Sequence, residues 1–118
     1  MNERDMKERT KRFALDVIRL VARLPKTTEA RAIGNQLIRS GTSVGANYRA
    51  ACRGKSKADF IAKLGIVEEE ADESLFWLEI IREMGIFDSP SMNSLMKEND
   101  EIIAILVASI KTSRRRKN

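Results

Sequence analysis

Three interruptions govern what this chain can fold into: Pro25, Gly54, and the stretch from Gly85 to Pro90. They leave four segments, 2–23, 28–53, 56–84 and 90–113. In each, apolar residues return at steps of three and four, the signature of one helix face. Connections this short make consecutive helices antiparallel neighbours. The expected fold is all-α: an oligomeric, antiparallel up-down four-helix bundle, with 1–118 as a single domain and a basic tail at 114–118. A chain of 118 residues buries roughly two-thirds of the surface its unfolded form exposes, so one core suffices.

In the first segment Phe13, Val17, Leu20, Val21 and Leu24 form the stripe, and Pro25 ends it. Thr27 is placed to cap the second helix, with Glu29 set against the helix dipole. At 100° per residue, Ile33, Leu37, Gly41, Val44 and Tyr48 share one face of that helix, whereas Arg31, Asn35, Thr42, Arg49 and Arg53 share another. Gly41, Thr42 and Ser43 are weak helix formers, Gly costing up to ~1 kcal/mol relative to Ala. They mark the place where this helix is open to a kink or a division into two pieces. Small residues also admit a close neighbour, so Gly41, Val44, Gly45, Asn47 and Tyr48 are read as packing positions.

Gly54 stops the second helix, and Ser56 with Asp59 three residues on approximates a capping box. Phe60, Leu64, Val67, Ala71, Leu75 and Leu78 supply the third stripe, and Gly85-Ile86 reads as a Schellman-like ending. Ser89-Pro90 combines a cap with a first-turn proline. Met92, Leu95, Asn99, Ile102, Leu106 and Ile110 follow as the fourth stripe. The third and fourth helices carry more apolar residues than one stripe holds. Phe76, Trp77, Ile80, Ile103, Ile105 and Val107 are the surplus, and large apolar patches are rare on monomers, so self-association through them is expected.

The net charge of +5 conceals a segregation. Residues 30–58 contain Arg31, Arg39, Arg49, Arg53, Lys55 and Lys57 and no acid. Residues 59–83 contain eight acids against Lys63 and Arg82, a net of −6. The tail adds Arg114, Arg115, Arg116 and Lys117. These ten cations are the candidate nucleic-acid contacts, although a basic tail also suits a solvated helix end.

The residue inventory removes most catalytic chemistries. With no His and Cys52 alone, neither a Cys/His zinc site nor a Cys-His nucleophile assembles, and the Glu-x-x-His of di-iron bundles is excluded. Cys52 reads as a small buried apolar residue. Of the paired E-x-x-E and E-x-x-D elements in all-α nucleoside triphosphate pyrophosphohydrolases, only Glu69-Glu70-Ala71-Asp72 is present. A non-enzyme without metal or cofactor is expected. Residues 1–12 lack the apolar centre of a signal peptide, and the run at 102–108 is far short of the ~20 residues that span a bilayer. A cytoplasmic protein with no membrane partner is expected.

The run Gln36-Leu37-Ile38-Arg39-Ser40-Gly41-Thr42-Ser43-Val44-Gly45-Ala46-Asn47-Tyr48, the helix from Phe60 to Leu78 and the Met84-Gly85-Ile86 ending together resemble the four-helix bundle proteins encoded in 23S rRNA intervening sequences, also called S23 ribosomal proteins. Members often read S-x-S-I-P-x-N-I-A-E-G in the densest part. This chain matches at Ser43, Val44, Ala46 and Asn47 and departs at Gly45, Tyr48, Ala50 and Ala51, so no role of that Glu transfers. The resemblance implies a bacterial antiparallel bundle that assembles as a homopentamer, with no associated enzymatic activity. Distantly similar bundles accompany the reverse transcriptases of diversity-generating retroelements and bind nucleic acid through a basic surface.

Two readings of function follow. In the first, a non-catalytic oligomeric bundle binds RNA or DNA through the basic residues, in association with the ribosome or its RNA. In the second, a structural or adaptor protein uses its basic second helix and acidic third helix for self-assembly or partner binding.

Overall fold

The computed structural model describes residues 2–116, which form four helices with no strand among them. They are α1 (Glu3–Ala22), α2 (Thr28–Cys52), α3 (Lys57–Glu83) and α4 (Pro90–Arg115). Each helix starts where a side chain replaces a missing backbone acceptor. Asn2, Thr27, Ser56 and Ser89 accept from the N–H groups of Asp5, Ala30, Asp59 and Met92 at 2.8, 3.2, 3.0 and 3.2 Å. The Asp59 carboxylate accepts from the Lys55 N–H at 3.0 Å, one residue earlier than a capping box requires.

α3 ends in a Schellman motif. Ile86 N–H donates to Ile81 O and Gly85 N–H to Arg82 O, while Gly85 adopts φ 66°. α2 runs unbroken through Gly41-Thr42-Ser43, where the sequence left room for a kink. Thr42 Oγ1 donates to Ile38 O at 2.7 Å and Ser43 Oγ to Arg39 O at 2.6 Å, so both hydroxyls are satisfied inside the helix they were expected to weaken.

Packing closes a square: α1 on α2, α2 on α3, α3 on α4 and α4 on α1, with no close backbone approach across either diagonal among the described residues. Gly34 lies against Val21 and Leu24, Gly41 against Val17, and Gly45 against Thr10. Ala71 and Arg82 of α3 meet Asn99 and Asn93 of α4, and Arg9 and Arg23 of α1 meet Glu98 and Ser91. Rising numbers on one helix face falling numbers on the next, so neighbours run antiparallel, within extents of 51 × 22 × 21 Å.

The buried residues follow a seven-residue repeat: Met6, Thr10, Phe13, Val17, Leu20 and Leu24 in and just beyond α1, and Leu64, Val67, Ala71, Ser74, Leu78 and Ile81 in α3. Such a repeat suits helices that cross at a shallow angle of about 20°. Ser74 rather than Leu75 continues the α3 stripe, and Phe60 and Leu75 are half-buried. Ser74 can occupy the core because its Oγ lies 2.9 Å from Ser40 Oγ and 2.9 Å from Glu70 O. Asn99 is fully buried in α4, and its Nδ2 donates to Ala71 O at 2.9 Å. α1 and α4 share the most sparsely packed seam, bridged by Arg9, which donates to Glu98 at 2.6 and 2.7 Å and to Glu101 at 2.6 Å.

Candidate nucleic-acid interface

The cations singled out from the sequence occupy three places. Arg31, Arg49 and Arg53 are exposed on α2 and its C-cap, on the side turned away from Leu37 and Val44. Arg39 is exposed on the α3 flank, where it approaches Glu73 at 3.6 Å and donates to Gln36 at 3.2 Å. Lys55, Lys57, Arg114, Arg115 and Arg116 collect at one end of the bundle. Lys57 Nζ donates to the Arg116 carbonyl there, and both residues line a cleft of about 350 Å³ with Cys52 and Ser113. Arg114 and Arg115 lie in the last turn of α4, where cations complement the helix dipole. Lys117 lies outside the described residues.

The antiparallel pairing of α1 with α2 adds two cations that sequence reasoning passed over. Lys7 and Lys11, one helical turn apart, line a cleft of about 180 Å³ with Ala14 of α1 and Thr42, Gly45, Ala46 and Arg49 of α2. Their spacing was visible in the sequence; that they face Arg49 depends on inter-helix register. Among the described residues, Lys7, Lys11, Arg31, Arg49 and Arg53 enter no ion pair, whereas Arg9, Arg19, Arg39 and Lys63 each have a carboxylate partner.

The packing set divides by depth. Gly41, Val44, Gly45 and Tyr48 are buried and Asn47 is half-buried. Burial, followed by the neighbouring Cys52, pushes the Tyr48 hydroxyl well above its usual range. Burial likewise pushes the Cys52 thiol up to about 11, so it stays protonated near neutrality. The surplus apolar residues form no single patch. Phe76 is 50% exposed, its ring set edge-on to Trp77 at 4.9 Å, while Trp77 and Ile80 are half-buried. Ile103 and Val107 are half-buried on α4, and Ile105 lines a cleft with Tyr48 and Phe60 at the bundle end.

Two acids of α3, Glu70 and Glu73, lie towards the α2–α3 seam. Glu73 accepts from Trp77 Nε1 at 3.2 Å as well as facing Arg39. Burial, then the neighbouring Glu73, raises the Glu70 carboxyl above its usual range, and Glu70 Oε2 has no hydrogen-bond partner. Among the described residues no group of three or more His, Cys, Asp or Glu is arranged to hold a metal ion, and no helix is long and apolar enough to cross a membrane.

The fold and surface define a four-helix protein with a basic α1–α2 face and an acidic α3. Residues 2–108 match the family described as 23S rRNA-intervening sequence protein, and the chain belongs to that family. It is also similar to a crystal structure from Bacteroides thetaiotaomicron, a protein of unknown function from the S23 ribosomal protein family. Identity is 33%, the match covers 94% of this chain and 99% of that one, and the TM-score is 0.83. No curated protein matches the chain.

Proposed function

We propose that this chain is a non-catalytic, cytoplasmic helical bundle that self-associates and binds RNA or DNA through phosphate contacts on its α1–α2 face. The observation that carries the reading is the set of cations without ion pairs on this face, Lys7, Lys11, Arg31, Arg49 and Arg53, whereas Arg9, Arg19 and Arg39 elsewhere are paired with carboxylates. Clustered cations repel one another, and a polyanion relieves that repulsion while releasing its own counterions. The family description names 23S rRNA, which makes ribosomal RNA the first polymer to test.

Self-association is supported by apolar residues on opposite corners of the square. Leu15 and Ile18 are exposed on α1, and Ile66, Phe76 and Met84 on α3, which lies diagonally across the bundle from α1. A two-fold dimer covers one such corner and leaves the other bare; a head-to-tail ring covers both. The homopentamer implied by the family resemblance is such a ring. In the competing electrostatic reading, Arg49 and Arg53 dock on exposed Glu69, Asp72, Glu79 and Glu83 of the next copy.

The test is fluorescence anisotropy with mixed-sequence RNA and DNA at rising salt, paired with multi-angle light scattering. Binding that weakens with salt while the mass holds is the expected result. Undetectable binding at low salt rejects the nucleic-acid reading. An assembly that dissociates as salt rises favours electrostatic assembly.

A further inference from the structure

We propose that the cleft between α1 and α2 is a seat for a single phosphoryl group, held by Lys7, Lys11 and Arg49. The inference rests on the nucleic-acid reading for the source of that group, an internucleotide phosphodiester, and it adds where on the basic face the backbone is gripped.

Three features single out this cleft. First, cations from two helices converge on it: Lys7 and Lys11 stand about 6 Å apart along α1, and Arg49 reaches in from α2. No acid is among the lining residues, and none of the three cations has an ion pair or a side-chain hydrogen bond among the described residues. Glu3, one turn before Lys7, lines the clefts at the bundle end instead. Second, Ala14, Gly45 and Ala46 contribute almost no side-chain bulk, so a groove stays open above the α1–α2 contact, where an anion would lie among all three cations. The Arg49 guanidinium offers a fork that matches two phosphoryl oxygens. Thr42 shapes the wall without donating, because its proton is directed at Ile38 O.

Third, size and lining select the ligand. The cleft is small, about 180 Å³, and suits a compact anion. No aromatic side chain lines it, so it offers no stacking partner to a base. A site of this kind fixes a backbone without reading sequence.

The experiment uses the full chain. Amide NMR spectra are recorded during titration with inorganic phosphate, and anisotropy is recorded with a labelled mixed-sequence RNA. Ala46→Leu fills the cleft and changes no charge, Lys11→Ala removes one donor, and Lys97→Ala, an exposed lysine on α4, is the control. The expected result is phosphate-dependent shifts confined to residues 7–14 and 42–49. Lys11→Ala should bind RNA about tenfold more weakly, the loss of one charge-assisted hydrogen bond, and Ala46→Leu, which shuts the anion out of the cleft, should weaken it at least as much, with Lys97→Ala unchanged. If Ala46→Leu binds RNA like the wild type while Lys11→Ala does not, the contact is diffuse attraction. The seat is then overturned and the nucleic-acid reading stands. Phosphate shifts without RNA binding support the seat with a free anion as its ligand and reject nucleic acid. Absence of both overturns both.

Discussion

A Cβ placed on Gly41 would lie 2.9 Å from both Cγ atoms of Val17. Val17 is fully buried, and a β-branched residue in a helix has one strongly preferred rotamer, so it cannot swing aside. Gly41→Ala should therefore lower stability by about 1–3 kcal/mol, although alanine is the better helix former by up to ~1 kcal/mol. Gly45 differs: its Cβ would meet Thr10 atoms at 3.4 Å, an ordinary contact. Gly45→Ala should be neutral or stabilising by up to ~1 kcal/mol. Urea unfolding of the two variants checks the contrast, and equal effects would contradict it.

Asn99 donates one hydrogen bond to Ala71 O, but its Oδ1 is buried without a partner. Replacing such a group by an apolar one of similar volume removes a desolvation penalty of about 1–3 kcal/mol. Asn99→Leu should leave unfolding free energy unchanged or raise it by about 1 kcal/mol. A loss above about 2 kcal/mol would mean that the amide is fully satisfied in solution.

Two carboxylates should move stability with pH in opposite senses. The Glu70 carboxyl is raised by burial and then by Glu73, so the folded state holds its proton more tightly than the unfolded state. Its contribution is present below the ordinary value of 4.5 and is lost as pH rises through the folded value. Asp59 is lowered first by the Lys55 N–H and then by Lys63, so its contribution is present above 3.8 and is lost as pH falls. Glu70→Gln should thus stabilise at pH 7 and have little effect at pH 3, whereas Asp59→Asn should destabilise at pH 7. Thermal melts across pH 3–8 read both signs.

Arg9 spans the loosest seam, donating to Glu98 and Glu101 and remaining about one-fifth exposed. Its guanidinium is held well above the usual range, chiefly by the Glu98 hydrogen bond. Because the pair is only partly shielded, Arg9→Ala should cost about 1–2 kcal/mol rather than the larger figure for a buried pair. Hydrogen exchange should rise in the first half of α1 and the first half of α4. Lysine at position 9 should restore only part of the loss, lacking the two-pronged geometry.

Much of this architecture was legible from local chemistry. Thr27, Ser56, Ser89 and Gly85 act where their side chains or backbone freedom required, because caps depend on neighbours three or four residues away. The α4 stripe from Met92 to Ile110, Asn99 included, is buried as its spacing implied. What escaped the sequence depends on a second helix. Ser74 enters the core in place of Leu75 because Ser40 stands opposite. Gly41 is tighter than Gly45 because Val17 faces one and the Thr10 backbone the other. Arg39, grouped with the free cations by charge alone, faces Glu73. Lys7 and Lys11 join Arg49 only through the α1–α2 register.

The central claim, that the α1–α2 face grips a nucleic-acid backbone, is tested most directly by the slope of log affinity against log salt for RNA. Each phosphate contact contributes about 0.7–0.9 to that slope. Arg49→Ala and Arg53→Ala should each make it shallower by about one, equally for RNAs of unrelated sequence. A slope that neither substitution changes, or an affinity indifferent to salt, would contradict the claim.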